Sequence, residues 1–336
     1  MKPIKIAQIG VMHDHAPAAF GSMCKLKGRF EVVGVAAPDL PAGRELPAIY
    51  KNSGVPLMSV DEIFAIPGLE AVCIETCELD LTKYSLMAAE RGLHIQMDKP
   101  GGTSLADFER LMQLCEEKKL AFQTGYMYRF NPAVLDALDM IRMGKLGDII
   151  CVETHMDCLH TPAKRQWLDQ FPGGMMFFLG CHLVDLIHLI KGEPEEVIAM
   201  NAPPTFDGVT ADDYGFAVFK YKEGVSFAKT SANEVNGYVR RQVVISGTKG
   251  TIEIKPLERG CGNKLDCAMR VAYKYDADRS GWQDVARDIH YPPYDRYDLM
   301  METFSDIVRG VKENPYTYAY ELATYKLVLR ACGVEI

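Results

Sequence analysis

The sequence predicts a two-domain α/β protein, with an N-terminal doubly wound parallel sheet and a C-terminal α+β domain that carries a large, mostly antiparallel, open sheet. Up to residue 126, short apolar runs alternate with helix-length segments, and this alternation is typical of a parallel sheet. Beyond residue 126, apolar runs follow one another without intervening helices, which favours antiparallel pairing. The length of 336 residues, 48% of them hydrophobic, suffices for two separate cores.

The first predicted domain, residues 1–126, is a Rossmann-like dinucleotide-binding domain. Helix-length segments of mixed polarity separate its strands, and the segment at 104–119 begins with Ser104 ahead of Asp107, a typical helix start. Five apolar runs are predicted as its strands: 5–11, 30–37, 71–76, 93–98 and 120–126.

The second predicted domain, residues 127–336, is a substrate-binding and oligomerisation domain. A linking helix is expected over 131–147, the turn at 246–250 predicts a hairpin, and a helical pattern closes the chain after residue 294. An open, one-sided sheet is often covered by another subunit, so we expect a homodimer or homotetramer formed through it. Its β-rich segments are 148–157, 195–202, 213–221, 225–234, 240–256 and 267–276.

Composition and charge exclude several kinds of partner. The chain has 45 acidic and 37 basic residues and a net charge of -8, so it repels nucleic acid and anionic lipid. No window approaches the roughly 18 apolar residues of a membrane span. The N-terminus leads directly into a strand without an export segment, which predicts a cytoplasmic location, and the ten cysteines show no metal-ribbon spacing and are expected to be reduced thiols.

The turn after the first strand stands where a dinucleotide fold binds the diphosphate. Only the first glycine of a G-x-G-x-x-G pattern, Gly10, is present, because Met12 and His15 occupy the other two positions. The acidic ribose-binding position aligns with Ala37, and Asp39 is predicted to reach a ribose hydroxyl instead.

Two histidines in this turn allow two interpretations. In the first, His13 and His15 are polar side chains that cap the following helix at Asp14 and pack on its first turn. In the second, one of them faces the nicotinamide or the substrate, or binds an ion. Both histidines are therefore included among the predicted cofactor-binding residues.

A lysine stands at the end of the fourth apolar run, in the tripeptide Asp98-Lys99-Pro100, which two glycines follow. Ligands of open α/β sheets bind outside the carboxyl ends of the strands, and Pro100 stops the strand and restricts Lys99. Together with the N-terminal strand and the segment 172–192, this tripeptide resembles the Glu-Lys-Pro signature of the glucose-fructose oxidoreductase, inositol dehydrogenase and rhizopine-catabolism (Gfo/Idh/MocA) family. The resemblance covers almost the whole chain.

The resemblance implies a nicotinamide cofactor and an acid–base pair. Lys99 and His182 match the two family residues that flank the reacting carbinol, where an ammonium stabilises the alkoxide and a neutral imidazole accepts the proton. Thr76 matches the family residue near the diphosphate. The segment 125–132 matches Gly-x-x-x-Arg-Phe-x-Pro, which places Arg129 near the cofactor or in a salt bridge between domains, and Asp98 and Pro100 also join the cofactor-binding set.

The largest departure from the family is Phe178. The family has an aspartate four positions before the histidine, and phenylalanine cannot orient the imidazole of His182 or bind a substrate hydroxyl. Asp185, three residues after His182 and on the same helix face, is predicted to replace it as a catalytic, orienting carboxylate. An alternative role for Asp185 is a cap or a bridge elsewhere on the helix.

A second group of polar residues lies in the first strand of the second domain. Glu153, His155 and Asp157 share one strand face, and His160 follows. With His182 they are candidate ligands for a divalent metal, although no spacing signature supports this; the alternatives are contacts to sugar hydroxyls and a polar sheet surface. Further predicted pocket residues are Tyr126, Tyr128, Lys164, Arg165 and Trp167, the last through stacking on a sugar face or through packing.

These observations predict an NAD(P)-dependent oxidoreductase that acts on a secondary hydroxyl or ketone of a sugar, polyol or glycoside. NAD is slightly preferred, because no arginine is evidently placed for a 2′-phosphate and Arg44 is the nearest downstream. The runner-up is a non-redox lyase or hydratase acting on a keto-sugar, and a divalent metal is expected only in that case. A third hypothesis is a binding or sensor protein that has kept the fold without the chemistry.

Overall fold

The computed structural model describes residues 2–336, and the chain divides into two compact units. The first unit contains the chain up to Met127 together with Tyr297–Ala323. The second unit contains Tyr128–Arg296 and Thr324–Ile336.

Within the described residues, fifteen strands and eleven α-helices form the two units. The strands are β1 (Ile4–Ile9), β2 (Phe30–Ala36), β3 (Ala71–Ile74), β4 (His94–Met97), β5 (Phe122–Thr124), β6 (Ile149–Asp157), β7 (Glu196–Ala199), β8 (Tyr214–Lys220), β9 (Val225–Ser231), β10 (Gln242–Gly247), β11 (Gly250–Ile254), β12 (Arg259–Cys261), β13 (Lys264–Asp266), β14 (Ala268–Tyr273) and β15 (Arg287–His290). The helices are α1 (Ala16–Lys25), α2 (Ala48–Lys51), α3 (Val60–Phe64), α4 (Leu81–Glu90), α5 (Leu105–Glu117), α6 (Pro132–Arg142), α7 (Pro162–Trp167), α8 (Cys181–Lys191), α9 (Lys274–Ser280), α10 (Asp298–Val308) and α11 (Tyr318–Ala331).

The first unit is built on a five-stranded sheet in the order β2-β1-β3-β4-β5, in which every neighbouring pair is parallel. Because parallel neighbours require crossover segments, helices lie between the strands along the chain. The predicted doubly wound fold is confirmed. The predicted start of α5 is confirmed as well, because the Ser104 side chain accepts a hydrogen bond from the Asp107 N–H.

Helix α10 belongs to the first unit although it follows the second along the chain. It packs on α1, where the Ser22 hydroxyl donates a hydrogen bond to Asp298 at 2.8 Å. Arg29, just before β2, forms an ion pair with Asp306 at 2.5 Å. The compact units therefore place Met127 and residues 297–323 in the first unit, whereas the sequence assigns all of 127–336 to the second domain. A periodicity argument identifies a helix but does not show which core receives its apolar face.

The second unit is built on an eight-stranded sheet in the order β15-β14-β11-β10-β6-β9-β8-β7. All its pairs are antiparallel except β6 with β9, so the predicted mostly antiparallel sheet is confirmed. The predicted hairpin joins β10 to β11. Helix α8 contacts β6 and β9, while residues 149, 151, 153 and 155 of β6 remain partly accessible on the other face, where an oligomer contact stays a prediction.

The structure also bears on the expectations about disulfides and membrane spans. All ten cysteines are free thiols, as predicted. Within residues 2–336, none of the helices has the length and the apolar character needed to cross a membrane.

Gly10 ends β1 and allows the following turn to lie against the chain after β3. Its φ is +101°, and a Cβ built on it would lie 2.1 Å from the Thr76 nitrogen and 2.4 Å from the Glu75 carbonyl carbon. A side chain here would therefore meet both backbone strain and a clash with backbone atoms that cannot rotate away.

We expect Gly10→Ala to lower the free energy of unfolding by about 3 kcal/mol or more, from backbone strain and overpacking together. Gly28→Ala is the matched control, because a Cβ at Gly28 meets no atom within 4 Å. Urea unfolding of both variants measures the difference. A Gly10→Ala variant as stable as Gly28→Ala would contradict this account of the turn.

Candidate functional site

The candidate residues form two groups, one in each unit. In the first unit, the turn after β1 is held by the carboxylate of Asp39. Asp39 accepts hydrogen bonds from the N–H groups of Val11 at 3.1 Å, Met12 at 3.0 Å and Cys77 at 3.1 Å. Burial raises the pKa of Asp39, and these N–H groups lower it without cancelling the effect. A single carboxylate thus fastens two loops at the carboxyl edge of the sheet.

The N–H groups bound by Asp39 lie where a dinucleotide fold presents donors to the diphosphate. The carboxylate of Asp39 therefore occupies the donors that would otherwise face a diphosphate. Its contact to a ribose hydroxyl stays a prediction. Thr76, the predicted diphosphate neighbour, is fully buried, and its Oγ1 has no hydrogen-bond partner within residues 2–336. A buried hydroxyl without a partner is costly, which favours a ligand contact at this edge.

A cavity of about 520 Å³ adjoins the carboxyl end of β2. Ala37 and Arg44 both line it, together with Leu57 and Ser59. The adenosine half of a dinucleotide binds at this position in doubly wound folds. The orphaned Thr76 hydroxyl and this cavity fit a nicotinamide dinucleotide, whereas the diphosphate position between them is already contacted by Asp39.

His13 and His15 both face Asp98. The His13 Nδ1 lies 3.2 Å from Asp98 Oδ2, and the His15 Nδ1 lies 3.1 Å from the same oxygen. The expectation that these polar side chains cap the helix at Asp14 is wrong: α1 begins at Ala16, its N-cap is His15, and no side chain caps it. The imidazoles instead contact the buried carboxylate of Asp98, which needs polar partners.

Burial and charge set the protonation of this cluster. Burial lowers the pKa of His13, but the carboxylates of Asp98 and Glu78 outweigh it and the net pKa is raised. Burial lowers the pKa of His15 to about 4 although Asp98 opposes the change. Burial raises the pKa of Asp98, yet His13 and His15 hold it well below its usual range. The two imidazoles that face Asp98 therefore differ: the pKa of His13 is raised, while His15, with a pKa of about 4, is neutral at neutral pH.

Glu75 adds a second buried carboxyl beside Asp98. Burial, followed by the charge of Asp98, raises the pKa of Glu75 well above its usual range. A raised pKa of one member is typical of a close carboxyl pair, because two neighbouring negative charges repel each other.

Lys99 is held at the end of β4, as the sequence predicts. Its backbone N–H donates to Asp98 Oδ1 at 2.6 Å, and the residue is 2% exposed. Pro100 is buried as well. Burial of an ammonium needs compensating partners, which restricts Lys99 to the polar edge formed by the ends of β1, β3 and β4.

In the second unit, His182 lies in the first turn of α8 and is 1% exposed. A π-helical turn, Met176–Gly180, immediately precedes α8 and contains Phe178. Irregular turns of this kind occur frequently at functional sites. The ring of Tyr128 meets the His182 ring edge to face, with centroids 5.1 Å apart. An aromatic contact thus helps to fix the imidazole.

Asp185 binds Arg129 within the second unit. The guanidinium Nη2 and Nε lie 2.6 and 2.9 Å from Asp185 Oδ1, and both side chains are almost fully buried. The carboxylate of Asp185 thus binds a guanidinium, which agrees with the alternative role of a bridge, and its orientation of His182 stays a prediction. The ion pair of Arg129 with Asp185 lies within the second unit, and the placement of Arg129 near the cofactor stays a prediction. Helix spacing shows which residues share a face, but not which partner needs the charge.

Tyr128 is anchored by a charged network that the sequence did not indicate. Its hydroxyl donates to Glu258 Oε1 at 2.6 Å, and Arg241 and Arg296 each form ion pairs with Glu258 at 2.6 Å. Burial raises the pKa of Glu258, but Arg296 and Arg241 outweigh it and lower the pKa. Glu258 is 130 residues from Tyr128, so no local motif marks the pair.

The candidate metal ligands of the second unit do not form a metal group. Asp157 is bound by the Lys229 ammonium at 2.9 Å, and His155 lies against the ring of Phe227. Within residues 2–336, His155, Asp157, His160 and His182 do not bring three ligand atoms within 4.8 Å of one another. The geometry gives no support to these residues as metal ligands, because the ammonium of Lys229 already compensates the carboxylate of Asp157.

Trp167 lies in an aromatic cluster with Phe171 and Phe178, at centroid distances of 4.9 and 5.5 Å. The Lys164 ammonium lies 3.7 Å from the centre of the Trp167 ring. This geometry favours the packing role over stacking on a sugar, because the cation already uses a ring face. Arg165 is occupied by ion pairs to Asp207 and Asp213, and Tyr126 is buried.

Two family models match this chain. The one described as "Oxidoreductase family, NAD-binding Rossmann fold" matches residues 4–126, and the one described as "GFO/IDH/MocA C-terminal domain" matches residues 134–253. The chain belongs to the Gfo/Idh/MocA oxidoreductase family. This confirms the resemblance carried by Asp98-Lys99-Pro100 and by the segment 172–192.

Relatives of this Gfo/Idh/MocA chain have different names. It is 24% identical over 331 residues to an uncharacterized oxidoreductase of Rhizobium meliloti, covering 98% of this chain and 96% of that protein. It is 26% identical over 215 residues to D-xylose 1-dehydrogenase (NADP(+)) 2 of Haloferax volcanii, covering 62% of this chain and 64% of that protein. It is 24% identical over 222 residues to 2,7-anhydro-N-acetylneuraminate hydratase of Mediterraneibacter gnavus, covering 62% and 57%.

Solved structures share the fold. An oxidoreductase of Agrobacterium radiobacter, solved in complex with NAD+, L-tartaric acid and magnesium, superposes with a TM-score of 0.79 at 16% identity. The match covers 97% of this chain and 94% of that one. At this identity the likeness extends to the Gfo/Idh/MocA fold and no further.

We expect Asp185→Ala to lower the free energy of unfolding by about 3 to 5 kcal/mol, because it removes the main carboxylate partner of the buried Arg129. Asp278→Ala, at an exposed carboxylate, is the control and should change stability little. The double variant Arg129→Met/Asp185→Leu should regain part of the loss. Equal denaturation midpoints for Asp185→Ala and Asp278→Ala would refute the importance of this pair.

Proposed function

We propose that this protein is an NAD(P)-dependent oxidoreductase that acts on a secondary hydroxyl of a sugar, polyol or glycoside, or on the corresponding ketone. The observation that carries the proposal is Lys99, buried and fixed through its N–H to Asp98 at the carboxyl end of β4. In open α/β sheets this edge is where ligands bind. Family membership and the fold support the same reaction class.

Each residue has a distinct task in this proposal. The bound nicotinamide would accept or donate the hydride. The ammonium of Lys99 stabilises the developing alkoxide, and the imidazole of His182 takes the hydroxyl proton or returns it. Because Phe178 offers no carboxylate, the orientation of His182 depends on Tyr128, which Glu258 and Arg241 hold through its hydroxyl. Tyr128 is thus a positioning residue.

Different residues would bind the diphosphate and the adenosine half of the dinucleotide. The N–H groups of Val11 and Met12 would bind the diphosphate once the carboxylate of Asp39 is displaced from them. The buried hydroxyl of Thr76 would gain a hydrogen bond to the cofactor. Arg44 shares a cavity with Ala37, where an acid would otherwise repel a 2′-phosphate. This geometry favours NADP(H), whereas the sequence alone leans to NAD(H).

We expect Lys99→Met and His182→Ala each to reduce turnover by roughly 10²- to 10⁴-fold while leaving the fold intact, because general acid–base contributions are of this size. The exposed Lys27→Met and His290→Ala are matched controls. Turnover is followed as NAD(P)H absorbance over a panel of free sugars, polyols and glycosides, and folding by circular dichroism. Wild-type turnover in both variants would exclude the proposed chemistry.

We expect Arg44→Ala to weaken NADP(H) binding by about 10-fold or more, because a charge-assisted contact to phosphate is lost. NAD(H) binding by the same variant is the internal control and should change little. Both dissociation constants can be obtained by fluorescence titration of the reduced nucleotides. Equal weakening of both nucleotides, or of neither, would contradict the assignment of Arg44.

A non-redox hydratase on the same scaffold is the second candidate. Phe178, in place of the family carboxylate, and the named hydratase relative favour it. Mass spectrometry of the same sugar panel tests it, since a hydratase adds or removes one water without net reduction of nucleotide. Products that differ from their substrates by two hydrogens would instead assign the dehydrogenase reaction.

A further inference from the structure

Three metal-ligating atoms converge in the first unit. His13 Nδ1, His15 Nδ1 and an Asp98 carboxylate oxygen all lie within 4.8 Å of one another. The two Nδ1 atoms lie 3.2 and 3.1 Å from Asp98 Oδ2. Two ligands bonded to one transition-metal ion at about 2.1 Å are roughly 3.0 to 3.4 Å apart in octahedral or tetrahedral geometry. The observed separations agree with a shared ion.

Two contacts meet at the His13 ring nitrogen that faces Asp98. The backbone N–H of His15 lies 3.3 Å from His13 Nδ1, and Asp98 Oδ2 lies 3.2 Å from the same nitrogen. A proton on Nδ1 can satisfy Asp98, whereas a divalent ion in place of that proton would bind both histidine nitrogens and the carboxylate oxygen at once.

Neighbouring groups orient the three ligands as the surroundings of metal sites do. The His13 Nε2 lies 3.6 Å from Glu78 Oε1, slightly beyond hydrogen-bond distance, so a carboxylate lies on the side of the imidazole where metal sites frequently have one. The Lys99 N–H binds Asp98 Oδ1, and Oδ2 is the oxygen that both histidines contact; His15 Nδ1 also lies 3.2 Å from Oδ1. The charges of Asp98 and Glu78 offset the positive charge of the nearby Lys99.

We propose that His13, His15 and Asp98 bind one divalent first-row transition-metal ion, such as Zn²⁺, Mn²⁺ or Co²⁺. Two imidazoles favour these ions over Mg²⁺ and Ca²⁺, which prefer oxygen ligands. Three protein ligands leave further coordination positions open for water or another ligand. The site differs from the metal candidates on β6 and is independent of the proposed reaction, because it requires neither nucleotide nor turnover.

The test uses the full chain, treated with chelator, dialysed and titrated with Zn²⁺ in a calorimeter and with Co²⁺ in a visible spectrometer. We expect one ion per chain, visible Co²⁺ bands typical of nitrogen and oxygen ligands, and affinity at least about tenfold weaker in His13→Ala, His15→Asn and Asp98→Asn. His290→Ala, at an exposed histidine of β15, is the control and should bind as wild type does.

Long-range ¹H–¹⁵N spectra of the wild type give a readout that needs no variant to fold. Zn²⁺ should shift the ring nitrogens of two of the eight histidines and leave the other histidines unchanged. The absence of saturable binding, shifts at other histidines, or full affinity in folded His15→Asn would each overturn the proposal. Metal binding without any nicotinamide binding would retain this site while removing the proposed dehydrogenase function.

Discussion

The buried carboxylate of Asp98, at the carboxyl end of β4, determines the arrangement of the polar side chains at this edge of the first unit's sheet. A buried carboxylate must be compensated, and here the compensation comes from His13, His15 and the Lys99 N–H. Since β3 lies between β1 and β4, the turn after β1 must cross the end of β3 to supply the histidines. Gly10 makes this crossing feasible by its positive φ and its close approach to Thr76.

The turn after β1 lacks the second and third glycines of the dinucleotide motif, and a carboxylate holds it in place. Asp39 binds the N–H groups that a glycine-rich turn offers to a diphosphate, so the turn is ordered before any ligand arrives. In the proposed function, a bound dinucleotide would displace the carboxylate of Asp39 from these N–H groups. In the second unit, Phe178 stands where the family resemblance implies a carboxylate. The ring of Tyr128, whose hydroxyl is bound by Glu258, contacts the imidazole of His182.

The fold was predictable because strands and helices leave periodic patterns, and the ends of the apolar runs located Lys99 and Asp98 correctly at the strand edge. Partner choice was not predictable in the same way. His13 and Asp98 are far apart in sequence and meet only through the strand order, and Asp185 was assigned to His182 by helix spacing although Arg129 binds it. Glu258 carried no local signal because its partners are distant in sequence. Long-range charge compensation depends on the assembled core.

Equilibrium dialysis against NAD(H) and NADP(H), with quantification of all nucleotide released on denaturation, tests most directly the claim that the first unit remains a nicotinamide-binding domain. Release by denaturation also counts nucleotide retained from expression. The account predicts about one nucleotide per chain, despite Met12, His15 and the anchored Asp39. If the folded protein binds neither nucleotide, the first unit is not a nicotinamide-binding domain, and Lys99 cannot take part in hydride transfer.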